Sequence, residues 1–151
     1  MVENIFTKDV ADKVVSRINK LENDKTSLWG KMSVDQMLAH CNVTYELVYT
    51  DQHPKPGGLK KFFLKKFVKP IVTGDKPYKK GSPTAREFKI VDAKNFEEEK
   101  KRLIDHIYKT QELGEEHFQN KESHSFGKLT SQEWNTMFYK HLDHHLTQFG
   151  V

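Results

Sequence analysis

The sequence predicts an all-α protein, a four-helix bundle with a long insertion between its second and third helices. Three observations carry that prediction. Apolar residues recur at helical spacing through most of the chain. Two helix starts, KMSVDQM and LTSQEW, share one capping grammar. Strand signals are few, with short alternating runs and no Asn-Gly or Asp-Gly pair to close a hairpin. Four amphipathic segments without a sheet are expected to bury their stripes against one another.

The first helix is expected to follow Thr7, a suitable N-cap, and to carry Val10, Val14, Val15, Ile18 and Leu21 on one face before the polar link ENDKTS. The second opens on a capping box of Ser33 and Gln36, with Met32 and Met37 at the staple positions, and should run to about Thr50, before HPKPGG. The third starts at Asn95, with Glu98 three residues on, and carries Phe96, Leu103, Ile104, Ile107 and Leu113 to Gly114 or beyond. The fourth repeats the grammar of the second, with Thr130 and Glu133 as the box and Leu129 and Trp134 as the staple, and runs almost to Gly150. Residues 51–94 form the insertion. Its first part, GGLKKFFLKKFVKP, reads as a short basic amphipathic helix whose Phe62, Phe63 and Phe67 cover one end of the bundle while its lysines stay solvated. The rest is turn-rich and reads as irregular. Loops of this length inside compact domains commonly act as lids or pocket walls.

Composition bounds the class. With 151 residues, 36% of them apolar and 30% charged, the chain is expected to fold as one domain spanning 1–151. No stretch approaches the roughly 18 apolar residues of a spanning helix, and MVENIFTKDVADK lacks the basic start of a signal peptide. A cytoplasmic protein is expected, and the single cysteine, Cys41, agrees with a reducing compartment. The net charge of +4 is mild and no nucleic-acid motif is present, so neither nucleic acid nor membrane is expected as a partner.

The chemistry concentrates in FYKHLDHHLTQFG. On a helical wheel His141 and His145 fall about 40° apart within the stripe of Trp134, Met137, Phe138 and Phe149. His144 falls about 60° to the other side, at the margin, and Asp143 points away. On the second helix His40 lies on an apolar face with Met37, Val43, Leu47 and Val48, and Gln36 and Thr44 flank it by one turn. A single buried histidine ordinarily means a hydrogen-bonded core residue. Three that can meet each need a partner, because burying imidazoles costs desolvation, and one divalent cation would serve all three. Two histidines at i and i+4 can converge on one ion, although this is a modest signal. Leu142 stands where an H-E-x-x-H motif needs its glutamate, so no general base is built in.

The context MSVDQMLAH, followed late in the chain by FGKLTSQEWNTMFYKHLDHHLTQF, resembles the DinB/YfiT-like superfamily, and within it a branch with no assigned function. The resemblance spans essentially the whole chain. It implies a four-helix bundle holding a divalent metal through His40, His141 and His145, with zinc, nickel or iron as the ion. Gln148 matches a glutamine often found after the second motif histidine and would support the ligands from behind. From their wheel positions, Gln36, Thr44 and His144 are further supporting or pocket candidates, with His144 also the alternative to His145 as a ligand. The resemblance further implies a homodimer and a metal-dependent enzyme acting on a small molecule. Its metal would activate a low-molecular-weight thiol, as in thiol S-transferases, or water, as in hydrolases. The alternative is a non-enzymatic metal-binding or helical protein-interaction module. In the enzyme reading, Lys79, Lys80 and Arg86 are candidates to bind the carboxylates of a thiol. Cys41 reads as a small buried hydrophobe, His106 as a core or boundary residue, and His53, His117 and His124 as solvent-facing.

Overall fold

A computed structural model describes residues 1–151 and is mostly helical. Four longer helices share one core: α1 (Lys8–Asn19), α2 (Val34–Tyr49), α5 (Phe96–Phe118) and α6 (Ser131–Gln148). Of these, α5 packs on α1, α2 and α6, and α6 also meets α1 and α2. Between α2 and α5 lie α3 (Gly58–Phe63), a π-helical turn (Leu64–Val68), α4 (Lys69–Thr73) and a 3₁₀ turn (Arg86–Phe88).

The caps follow the sequence with one exception. Asn95 accepts from the Glu98 amide, and Thr130 and Glu133 bond reciprocally to each other's backbone amides. At the start of α2, Gln36 Oε1 accepts from the Ser33 amide at 3.1 Å. Thr7 has the extended backbone of an N-cap, but its hydroxyl donates to the Asn4 carbonyl and caps nothing in α1.

The core centres on aromatic rings. Phe118, Trp134 and Phe138 are essentially inaccessible and lie with ring centroids 5.5 Å apart in each pairing. Each such ring stabilises the fold by about 1.5–3 kcal/mol through burial. Phe118 reaches this cluster because α5 breaks at Gly114, whose φ of 72° and ψ of 174° redirect the last turn inward. That conformation is essentially confined to glycine.

Two features depart from the sequence reading. The segment before α6 forms a hairpin, β1 (Lys121–Ser123) with β2 (Gly127–Leu129), so the chain is not purely helical. Its turn is closed by the Ser123 side chain, whose Oγ donates to the Gly127 carbonyl and accepts from the Phe126 amide. No Asn-Gly or Asp-Gly pair is needed, which is why the usual hairpin signal is missing. The second departure is in the insertion. Phe62, Phe63 and Phe67 do not cover the end of the core but are exposed at 57%, 51% and 55%. The rod instead meets the body through its lysines, Lys61 and Lys69 pairing with Glu122 and Glu133 at 3.1 and 2.8 Å, and carries the rings outside.

α2 is buried without a break from Met37 to Tyr45. Its polar members therefore need partners. Asn42 Nδ2 donates to the carbonyl and carboxylate of Glu99, and its Oδ1 meets His106 Nδ1 at 3.0 Å. Arg102 bridges Glu99 to Glu46, which also meets His53 at 2.8 Å. His106 and His53 are thus tied into this network, and His53 does not face solvent freely as expected. His117 is exposed, while His124 is half-buried in the hairpin turn, its Nε2 3.1 Å from the His53 carbonyl. Although burial opposes it, hydrogen bonds from His53 and Arg102 hold the Glu46 carboxyl below its ordinary range.

Candidate metal centre

α2 presents His40 and α6 presents His141 and His145, one turn apart on a shared face. One ligand atom from each lies within 4.8 Å of the others, with the Nε2 atoms of His40 and His141 3.0 Å apart. The ring centroids are separated by 4.5–5.0 Å.

Every ring is also held from behind. His40 Nδ1 lies 2.8 Å from the Phe88 carbonyl, His145 Nδ1 lies 2.8 Å from Gln148 Oε1, and His141 Nδ1 lies 3.0 Å from Thr44 Oγ1. Tautomers follow from these partners. The Phe88 carbonyl can only accept, so His40 carries its proton on Nδ1. The Gln148 amide is oriented by its own Nε2, which donates to the Trp29 carbonyl at 2.7 Å, so its oxygen accepts and His145 is likewise protonated on Nδ1. The Thr44 hydroxyl can either accept from His141 Nδ1 or donate to it. When it donates, His141 Nε2–H hydrogen-bonds His40 Nε2 at 3.0 Å; when it accepts, the Nε2 lone pairs of His40 and His141 face one another and a cation between them takes the place of that bond. Outer partners of this kind fix the tautomer of metal-ligating histidines. The donor set fits a divalent ion of the zinc, nickel or iron class.

Electrostatics keep these rings neutral. Burial, then the proximity of the other imidazoles, holds His141 well below its ordinary value and brings His145 down to about 3. Burial also lowers His40, against the hydrogen bond to Phe88. Neutral imidazole is the form that binds metal.

The surroundings are aromatic. The Phe88 ring lies 5.2 Å from His40 and 5.8 Å from His141. Tyr78 packs edge-on to His141 and His144, and Trp29 edge-on to His144. Lys80 Nζ sits 4.2 Å from the Trp29 ring centroid. Tyr78 and Phe88 come from the insertion, which therefore forms one wall. Lys140, next to His141, fastens it: the buried ammonium donates to the carbonyls of Ile71 and Lys76, at 2.6 and 3.1 Å, and to that of Gly74. The loop bearing Trp29 is fastened by Gln148, and Gly30 is required there. Its φ is 85°, and a Cβ at Gly30 would come within 2.7 Å of Gln148 Nε2.

The remaining candidates separate clearly. His144 lines the aromatic wall beside His145, with ring centroids 5.0 Å apart. Gln36 is drawn elsewhere, its Nε2 donating to the Val91 carbonyl. The three proposed anion-binding residues Lys79, Lys80 and Arg86 are all exposed, and only Lys80 packs against this wall. Cys41 is buried with Sγ 3.7 Å from Met37 Sδ, and burial pushes its thiol far up, as befits a core residue. Sequence reasoning missed Trp29, Tyr78, Phe88 and Lys140. Nothing in a linear pattern marks a backbone carbonyl as a histidine's partner, and Lys140 reads as an ordinary solvated lysine.

A family model described as a protein of unknown function (DUF1569) matches residues 5–150. No curated protein and no solved structure matches the chain.

Proposed function

Because the chain belongs to the DUF1569 family, whose function is unknown, we propose its role from the site itself: a divalent-metal-dependent enzyme that activates a low-molecular-weight thiol, or water, toward a small electrophile. The reading includes a four-helix bundle of the DinB/YfiT-like kind, working as a cytoplasmic homodimer. The observation that carries it is the orientation of the three rings, each tied through Nδ1 to Phe88, Thr44 or Gln148 so that the other nitrogens converge.

His40, His141 and His145 would hold the ion through Nε2. A divalent cation so held supplies Lewis acidity that eases loss of a proton from a thiol or a water molecule. The chain's own residues set the conditions. Three neutral ligands leave the cation's charge uncompensated, and no carboxylate stands among them. Phe88 and Tyr78 pack against the rings and cover part of the centre, while His141 stays partly exposed. Lys80, on the outer side of Trp29, is placed to meet a carboxylate of a thiol co-substrate.

One observation favours a second reading, a non-enzymatic metal-binding or helical interaction module. Two of the three ligands, His40 and His145, are only 5% and 7% exposed, a burial that suits a structural ion, although His141 is less covered.

Elemental mass spectrometry on untagged protein tests the metal, beside a His40→Ala, His145→Ala double variant. About one ion per chain in the wild type, lost in the variant, is expected. The loaded protein should then consume a model electrophile only when a thiol is supplied, or hydrolyse it in water alone. A chain that stays folded yet takes up no zinc, nickel or iron would refute the centre. Stoichiometric metal without turnover across thiols would favour the second reading.

A further inference from the structure

Residues Gly58–Thr73 form a nearly continuous helical rod that carries its apolar side outward. Leu59, Phe62, Phe63, Phe67 and Ile71 are each more than half exposed. Leu59, Phe63, Phe67 and Ile71 recur at every fourth position and so share one side of the rod. Phe63 and Phe67 stack on one another with centroids 5.9 Å apart. Lys60, Lys61 and Lys69 turn to Glu87, Glu122 and Glu133 of the body, so the rod is anchored by its charged side. A surface helix ordinarily does the reverse. An exposed apolar stripe of this size marks an interaction surface.

Charge selects the occupant. Between Asp51 and Asp75 there are six lysines and no acidic residue. Lys66 borders the stripe itself, its Nζ 5.9 and 5.5 Å from the ring centroids of Phe62 and Phe67. If a second copy paired this stripe about a two-fold axis through its midpoint, Lys66 would meet its own counterpart, like charge against like. An anionic headgroup layer complements it instead.

We propose that this face docks the protein on an anionic lipid surface. The rod lies in the plane of the headgroups, with Leu59, Phe63, Phe67 and Ile71 at the acyl boundary and Lys66 among the phosphates. No helix is long and apolar enough to cross a membrane, so the contact is peripheral. The proposal departs from the sequence expectation of no membrane partner, and it does not depend on the metal centre.

Vesicle flotation tests it, with phosphatidylcholine alone and phosphatidylcholine mixed with phosphatidylglycerol, on the wild type and the variants F63S/F67S and K66E. The wild type should float with the mixed vesicles and not with the neutral ones, and salt should weaken the binding. Each variant should bind about tenfold more weakly or worse, with an unchanged thermal midpoint because the replaced side chains are exposed. No flotation of the wild type with anionic vesicles would overturn the proposal. So would salt-sensitive binding that F63S/F67S leaves intact, since the stripe would then play no part. A dimer seen by light scattering, dissociated by F63S/F67S and indifferent to lipid, would assign the face to a second copy.

Discussion

Replacing Gln148 by methionine isolates the outer support of the metal centre without touching a ligand. Gln148 is 4% exposed and makes two buried hydrogen bonds, accepting from His145 Nδ1 at 2.8 Å and donating to the Trp29 carbonyl at 2.7 Å. Methionine fills similar volume but strands both partners. Two lost bonds with groups left unpaired should cost the metal-free fold roughly 2–4 kcal/mol. For a chain of this length that lowers the thermal midpoint by roughly 5–15 °C. The metal affinity should fall separately, by about 10–100-fold, because His145 loses the bond that fixes its tautomer and raises its basicity. Competition against a chromophoric zinc chelator reads the affinity, and calorimetry reads the stability. Gln148→Glu separates the two effects: it keeps an oxygen for His145 Nδ1–H but loses the donor to Trp29. It should therefore retain most of the metal affinity while still losing stability. Equal affinity in the wild type and Gln148→Met, or equal loss in both variants, would refute the reasoning about tautomers.

Two further outcomes follow from the fold. Gly114→Ala should cost about 1–3 kcal/mol from backbone strain alone, because an added Cβ would meet nothing within 4 Å; urea unfolding measures it, and a neutral result would mean that the break in α5 is not needed. The Glu46 carboxyl is held below its ordinary 4.5, so the unfolded chain takes up its proton first and the stabilisation is full above that value and lost as pH falls through the folded one. Glu46→Gln should accordingly be less stable than the wild type at pH 7, with the gap closing in acid; a gap that stays constant with pH would sink this account.

The helices that build the core, and the buried face of α1, were legible in the sequence because both depend on local periodicity. By contrast α2, buried without a break from Met37 to Tyr45, has no single face, and Leu113 of α5 lies exposed. The Thr130–Glu133 box and the Asn95 cap form as read, since capping is settled within a few residues. The three histidines could be selected from wheels alone, because i and i+4 on one helix share a face whatever the tertiary arrangement. What the wheels could not supply is the meeting of His40 with the other two, which depends on how α2 and α6 pack.

The partners that orient those rings belong to tertiary structure entirely. Phe88 acts through a carbonyl that any residue would have, and Gln148 is fixed only by the Trp29 loop that happens to lie beside it. Lys140 is a charged residue whose burial makes sense only once three carbonyls of the insertion converge on it. The insertion itself shows the same division most plainly. Its pattern declared an amphipathic rod, but which side faces the body is a tertiary matter: Glu87, Glu122 and Glu133 meet the lysines there, and the rings stay outside.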